Sequence, residues 1–148
     1  MDPRVGDVKR EILIRASDDW VNVAEIADFA REAMHGDRFL EGYPDDDRLS
    51  VEDLAAVRDE WQAGKEREAF PLGIAAVKEL VAEGLVRVGY TANRGFVPWE
   101  ETGDELASRI DDAVGEHTEF PLLPGHLFWL KNTDRGHQAA AQFDSAQQ

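Results

Sequence analysis

Apolar residues recur at helical spacing along most of the chain. The clearest stripe follows the i, i+3, i+4, i+7 pattern of one helical face and comprises Ile26, Phe29, Ala30 and Ala33. Asn22 precedes this stripe as an N-cap, with Glu25 three residues later as in a capping box. Similar patterns predict helices over residues 8–16, from Ser50, from Pro71 to Gly84, from Thr102 to Gly115, and from Thr133 or Asp134 to Phe143.

Short strands are predicted between these helices. Residues 85–90 (LVRVGY) are rich in valine, and residues 96–97 follow them after a turn in which Asn93 and Gly95 accept positive φ. The pattern therefore predicts an antiparallel hairpin that ends at Pro98, because proline cannot donate to a strand ladder. Two further short strands are predicted at residues 20–21 and 127–130.

A carboxylate-rich segment follows the second predicted helix. Residues 37–49 are predicted to form a loop, and Ser50 then caps a helix whose apolar face comprises Leu54, Val57 and Trp61. Pro71 suits a first helical turn, so a separate central helix is predicted to begin there. We place Trp61 and Trp20 in the core.

This order of elements resembles a winged helix. The resemblance rests on WVNVAEIADF (20–29), VKELVAEGLVRV (77–88) and the turn TANRG (91–95). In addition, FWLKNTDRG (128–136) is similar to the strand-to-helix step after the wing in MarR- and PadR-type proteins, and the whole chain resembles small acidic actinobacterial proteins. The resemblance implies an α+β, winged-helix-like fold that is mostly helical, with a small antiparallel β-hairpin or sheet and an inserted helix. Residues 1–148 then form one domain, with an insertion over about 37–69 and a C-terminal helical extension over about 100–143.

Composition narrows the class of protein. A chain of 148 residues suits one domain, and the absence of cysteine excludes disulfides, thiolate catalysis and Cys-ligated zinc. No segment approaches ~18 apolar residues and the N-terminus lacks a signal-peptide pattern, so we expect a soluble cytoplasmic protein without membrane partners. Thirty-one acidic residues against 16 basic ones give a net charge of −15, which disfavours binding to phosphate backbones.

The predicted central helix is poorly equipped to contact DNA. A recognition helix offers cationic or amide side chains to phosphates and base edges, whereas this helix offers only Lys78, Glu79 and Glu83. Residues 99–148 hold ten acids and three bases and residues 1–4 are neutral, so residues 5–98 keep −8 of the total charge. A DNA-binding transcriptional regulator of winged-helix type is therefore the alternative hypothesis, with Arg87, Asn93 and Arg94 on its wing.

No residue pattern indicates catalysis or a cofactor. The glycines lack the spacing of a phosphate-binding loop, and no serine has an evident histidine partner, so we predict neither an enzyme nor a cofactor site. The best metal-like cluster comprises Glu116, His117, Glu119 and His126, whose ligand types suit zinc or manganese although their spacing matches no helix-borne site. A metal-dependent enzyme is the third hypothesis.

The leading hypothesis is a non-enzymatic protein-interaction module. Four tryptophans supply aromatic anchors, and the acidic surface suits a basic protein partner through electrostatic steering. The predicted interaction residues lie on the hairpin and at its exit: Arg87, Tyr90, Asn93, Arg94 and Trp99. Phe39, Tyr43 and Trp129 are further candidates for exposure. Oligomeric state does not follow from the sequence.

Overall fold

The computed structural model has an α+β fold in which five helices accompany one small antiparallel sheet. It describes residues 2–38, 40–92, 95–117, 120, 122 and 127–146. In chain order the elements are α1 (Pro3–Ala16), β1 (Val21–Asn22), α2 (Val23–His35), a 3-10 turn (Gly36–Arg38), α3 (Val51–Ala82), β2 (Val86–Ala92), β3 (Gly95–Pro98), α4 (Gly103–Glu116), β4 (Trp129–Asn132) and α5 (Asp134–Ala146). The predicted fold class is confirmed at the level of α+β.

The sheet has four strands in the order β1-β4-β2-β3, and every pair is antiparallel. Leu130 of β4 pairs with Val21 on one side and Val88 on the other. The strand predicted at residues 127–130 is displaced by two residues, because pairing with β1 and β2 covers Trp129–Asn132. Leu130 and Asn132 are buried within it. A segment assigned to the C-terminal helical extension thus provides an interior strand.

The core lies where α1 contacts α2, α3 and α5. Its fully buried side chains come from the helices and from the sheet, and include Val8, Ile12, Ile26, Val77, Leu80 and Leu130. At Gly73, α3 approaches α2 so closely that a Cβ atom would lie 2.8 Å from Ile26 Cγ2. Glycine is therefore needed at this helix crossing.

Several predicted helix ends are confirmed by hydrogen bonds. Asn22 Oδ1 accepts from Glu25 N at 3.0 Å, and Ser50 Oγ accepts from Asp53 N at 3.1 Å. At the end of α3, Gly84 has φ +74° and Leu85 N donates to Leu80 O at 3.0 Å, which is the hydrogen-bond pattern of a Schellman motif.

The central helix differs from the prediction. Residues 51–82 form the single helix α3, so no break separates the Ser50-capped segment from the segment after Pro71. Proline in a helix interior removes one backbone hydrogen bond. The helix continues through Pro71 because Ala69, Phe70, Gly73 and Ile74 are buried on both sides of it, and their packing offsets the lost bond. The predicted inserted helix is the N-terminal half of α3.

Candidate functional site

The predicted hairpin residues have different environments. Arg87 and Tyr90 are exposed on β2, and Tyr90 retains 51% of its accessible surface. Asn93 and Arg94 lie outside the described residues. The hairpin therefore presents at least one cation and one aromatic ring to solvent.

Trp99 does not belong to an exposed surface. It is 9% exposed, and its ring packs edge-to-face on Phe128 with centroids 5.7 Å apart. The Arg109 guanidinium lies 3.9 Å from the Trp99 ring centroid and is held by Glu101, whose pKa it lowers through a 2.6 Å hydrogen bond. The expectation that Trp99 is exposed is therefore wrong, because other elements cover this residue just past the end of β3. Its role in an interaction stays a prediction.

Two of the four candidate metal ligands are described. Glu116 is the last residue of α4, and the His117 ring packs on Phe120 with centroids 5.4 Å apart. Glu119 and His126 lie outside the described residues. Among the residues that the structure describes, no group of three or more His, Asp or Glu side chains could hold a metal ion.

The N-terminal half of α3 carries an apolar stripe that the core does not cover. We define the stripe surface as Val51, Leu54, Val57 and Trp61, which share one helical face. None of residues 51–62 is buried, and Val51 retains 87% of its accessible surface. At 1.5 Å per residue α3 is roughly 48 Å long, so its first half extends beyond the helices that bury its second half.

The loop before α3 packs on the Trp61 end of the stripe surface. Tyr43 meets the Trp61 ring edge-on with centroids 5.3 Å apart, and the Arg58 guanidinium lies 4.8 Å from the Tyr43 ring centroid. Arg58 Nε also donates to Pro44 O at 2.9 Å. Trp61 is therefore partly buried by the loop rather than placed in the core, and the expectation that it is a core residue is wrong.

Exposed apolar side chains concentrate in this region. Six large apolar side chains are exposed among the described residues, and all but Tyr90 belong to residues 40–57: Leu40, Tyr43, Leu49, Val51 and Val57. Scattered single exposed apolar residues are ordinary, but a contiguous group is typical of an interaction site. Trp20, the other tryptophan predicted in the core, is also only partly buried, against Phe96 at 5.9 Å.

Acidic residues are abundant in the segment that contains these apolar side chains. Residues 40–62 contain eight acids and two bases, which gives a net charge of −6 over 23 residues. One of the two bases, Arg58, is engaged by Pro44 and lies 3.4 Å from Asp45. The region therefore combines an apolar centre with an acidic rim.

A polar layer connects the stripe surface to the core. Arg31 is 5% exposed, and its guanidinium lies 5.4 Å from the Trp61 ring centroid. Glu66 is 4% exposed and accepts hydrogen bonds from Leu122 N at 2.7 Å and from the Gln62 side chain at 3.4 Å. Burial raises the pKa of Glu66, because the ionised carboxylate loses contact with water.

Comparison with known protein families, with characterised proteins and with solved structures found no match to this chain. No helix in the described part of the chain is long and apolar enough to cross a membrane.

The sequence pattern identified Leu54, Val57 and Trp61 as one apolar face but did not indicate that they lack a covering element. The pattern analysis did not include Val51 in this face or predict that Glu66 is buried. Val51 could have been found, because it directly follows the N-cap Ser50 and lies on the same helical face as Leu54.

Proposed function

We propose that this chain is a non-enzymatic protein-interaction module that binds a basic, amphipathic segment of a partner protein on the stripe surface. The observation that carries the proposal is the exposure of an apolar stripe along residues 51–62, none of which is buried. An amphipathic segment laid along such a stripe buries apolar area on both partners, with anchors at helical spacing. Trp61, already flanked by Tyr43, is the aromatic anchor.

The negative charge around the stripe surface favours a positively charged partner. The stripe surface lies among residues 40–62, whose net charge is −6. Two copies of this region would bring like charges together, whereas a segment rich in lysine and arginine gains both attraction at the rim and faster association. We therefore assign the site to a basic partner rather than to a second copy of this chain.

The scaffold is best interpreted as winged-helix-like. Mutual contacts among α1, α2 and α3 support this interpretation, as does the hairpin of β2 and β3 that follows α3. The fold alone does not select a function, because winged-helix scaffolds serve both nucleic-acid and protein binding.

DNA binding of the winged-helix type is the second candidate, favoured by the exposed Arg87 on β2. The C-terminal half of α3 argues against it. Lys78, the only cation of α3 after Pro71, bonds Asp111 of α4 at 2.8 Å, and Glu79 lies 3.6 Å from Lys9. A helix segment whose single cation is paired offers little to phosphates.

The test measures binding of a labelled synthetic amphipathic peptide with one leucine face and one lysine face, by fluorescence anisotropy across a salt series. We expect saturable binding that weakens with salt. The double variant Val51→Ser, Val57→Ser should weaken it roughly tenfold or more, because the loss of about 1.4 kcal/mol of apolar burial changes the dissociation constant tenfold.

The matched control is Ala56→Ser, an exposed position on the opposite face of the same helix, which should bind like the unmodified protein. Equal affinity of the double variant and the control would contradict the proposal. Sedimentation that shows a dimer dissociated by the double variant would assign the stripe to a second copy. Submicromolar binding of labelled duplex DNA at low salt, falling steeply as salt rises, would favour the second candidate.

A further inference from the structure

Two cations face each other on the sheet without acidic partners. Arg87 of β2 and Lys131 of β4 are directly opposite in the antiparallel register, and both are exposed. They lie on the face opposite to the buried Val86, Val88 and Leu130, because side chains alternate along a strand. Among the described residues neither forms an ion pair, although other cations of the chain, such as Lys78 and Arg109, do so.

This pairing is unfavourable for the protein alone. Like charges directly opposite each other on neighbouring strands destabilise a sheet. The chain has almost twice as many acids as bases, so acidic partners are abundant elsewhere on its surface. The two cations therefore favour an anion between them.

The pair lies at the wall of a concave site. Arg87 and Lys131 line a cavity of about 570 Å³ between the outer face of the sheet and the start of α5, a volume typical of small-molecule sites. Phe96 and Pro98 form its apolar side, and Thr133 and His137 add polar groups. Asp134 also lines it, so the formal charge of the lining is +1 with the histidine neutral.

The start of α5 adds to the positive potential of the cavity. Thr133 Oγ1 accepts from Gly136 N at 3.1 Å and donates to Gly84 O at 2.8 Å, so its only donor hydrogen is used in fixing this helix end. The N–H groups of the first helical turn have no carbonyl partner within the helix and favour negative charge nearby.

We infer that this cavity, the anion pocket, binds the phosphoryl group of a small molecule between Arg87 and Lys131. A doubly charged oxyanion pairs with both cations at once, Arg87 through its planar fork and Lys131 as a point charge, whereas a carboxylate neutralises only one. The ligand is small because the cavity is concave and the chain carries a net charge of −15, which repels an extended polyanion.

The test titrates inorganic phosphate and pyrophosphate into the full chain at constant ionic strength, with binding followed by calorimetry and by amide chemical shifts. We expect saturable shifts at residues 86–88, 130–132 and 133–137. Arg87→Gln and Lys131→Gln should each weaken binding about tenfold or more, because each removes a charged hydrogen-bond partner. The matched control is Arg38→Gln, which makes the same charge change at an exposed site elsewhere and should bind normally.

A second measurement compares melting temperatures without and with phosphate. Lys131→Gln should melt at or above the temperature of the unmodified protein, because it relieves repulsion, and phosphate should then raise its melting temperature less. A lower melting temperature for Lys131→Gln, shifts that do not saturate, or affinity unaffected by Arg87→Gln would each overturn the inference. Duplex DNA that displaces pyrophosphate at lower concentration would also overturn it, in favour of nucleic-acid binding. The residues differ from those of the stripe surface, so this inference and the proposed function fail separately.

Discussion

Glu66 is a buried carboxylate whose role as a hydrogen-bond acceptor can be separated from its charge. It accepts from Leu122 N at 2.7 Å, and both residues are buried. Glu66→Ala removes the acceptor and leaves the Leu122 N–H without its partner. Glu66→Gln keeps an oxygen that accepts from Leu122 N and removes the charge, and it replaces the oxygen 3.4 Å from the Gln62 amide nitrogen by an NH2 group.

The two substitutions should differ in magnitude at neutral pH. Glu66→Ala should lower the free energy of unfolding by about 1–3 kcal/mol, the cost of an unsatisfied buried donor. In a domain of this size each kcal/mol lowers the melting temperature by roughly 2–4 °C. Glu66→Gln should not destabilise the protein, because the amide oxygen accepts the same bond and no charge is buried.

The pH dependence follows from the raised pKa of Glu66. Burial raises its pKa in the folded protein above the value of about 4.3 in the unfolded chain. The stability that the protonated side chain contributes is complete below that unfolded value and is lost as pH rises through the folded-state pKa. Glu66→Gln does not titrate, so it should gain stability relative to the unmodified protein as pH rises from about 4 towards neutrality.

Urea denaturation followed by far-UV circular dichroism, repeated across this pH range, checks both statements. The control pair is Glu60→Ala and Glu60→Gln at an exposed site on α3, where both should change stability by less than about 0.5 kcal/mol. If Glu66→Gln destabilises the protein as much as Glu66→Ala at neutral pH, the hydrogen bond to Leu122 is not what matters. Attraction between the Glu66 charge and the buried Arg31 would then explain the loss.

Further predictions concern α3. Gly73→Ala should lower the free energy of unfolding, because overpacking against Ile26 costs about 1–3 kcal/mol and exceeds the helix-propensity gain. Gly64→Ala should raise it by about 1 kcal/mol, because a Cβ atom there meets nothing within 4 Å. Urea denaturation measures both changes. Equal effects at the two glycines would contradict the close packing of α2 and α3. Ser50→Ala should cost ~1 kcal/mol of local stability by removing the bond to Asp53 N, and should accelerate amide hydrogen exchange in the first turns of α3 more than in the core. Unchanged exchange there would show that the cap does not hold this helix end.

Local signals predicted three of the helix ends, whereas α1 begins at Pro3 rather than at residue 8 and Thr102 makes no side-chain cap hydrogen bond. The caps at Asn22 and Ser50 and the stop at Gly84 depend on hydrogen bonds between residues at most five apart. Such bonds depend on side-chain chemistry and backbone preference within a single turn, so a short window of sequence contains the information. The same holds for the hairpin of β2 and β3, whose strands are separated by two residues.

Longer-range features did not follow from the pattern. Pro71 is a local signal for a helix start, yet burial of Phe70 and Ile74 carries the helix through it. The position of β4 between β1 and β2 depends on pairing between segments that are far apart in the chain, which periodicity does not encode. The opposition of Arg87 and Lys131 is a consequence of that register.

Trp61 and Trp99 show most clearly why burial cannot be predicted from a sequence pattern alone. Periodicity correctly placed Trp61 on an apolar helical face, and the strand end predicted at Pro98 correctly placed Trp99 at the end of the hairpin. A period identifies which side chains share a face, but burial depends on whether another element covers that face. The chain therefore encodes its helices, its hairpin and its acidic character locally. Tertiary packing covers Trp99 with Phe128 and Arg109, whereas it leaves Val51 and Val57 of the stripe surface exposed.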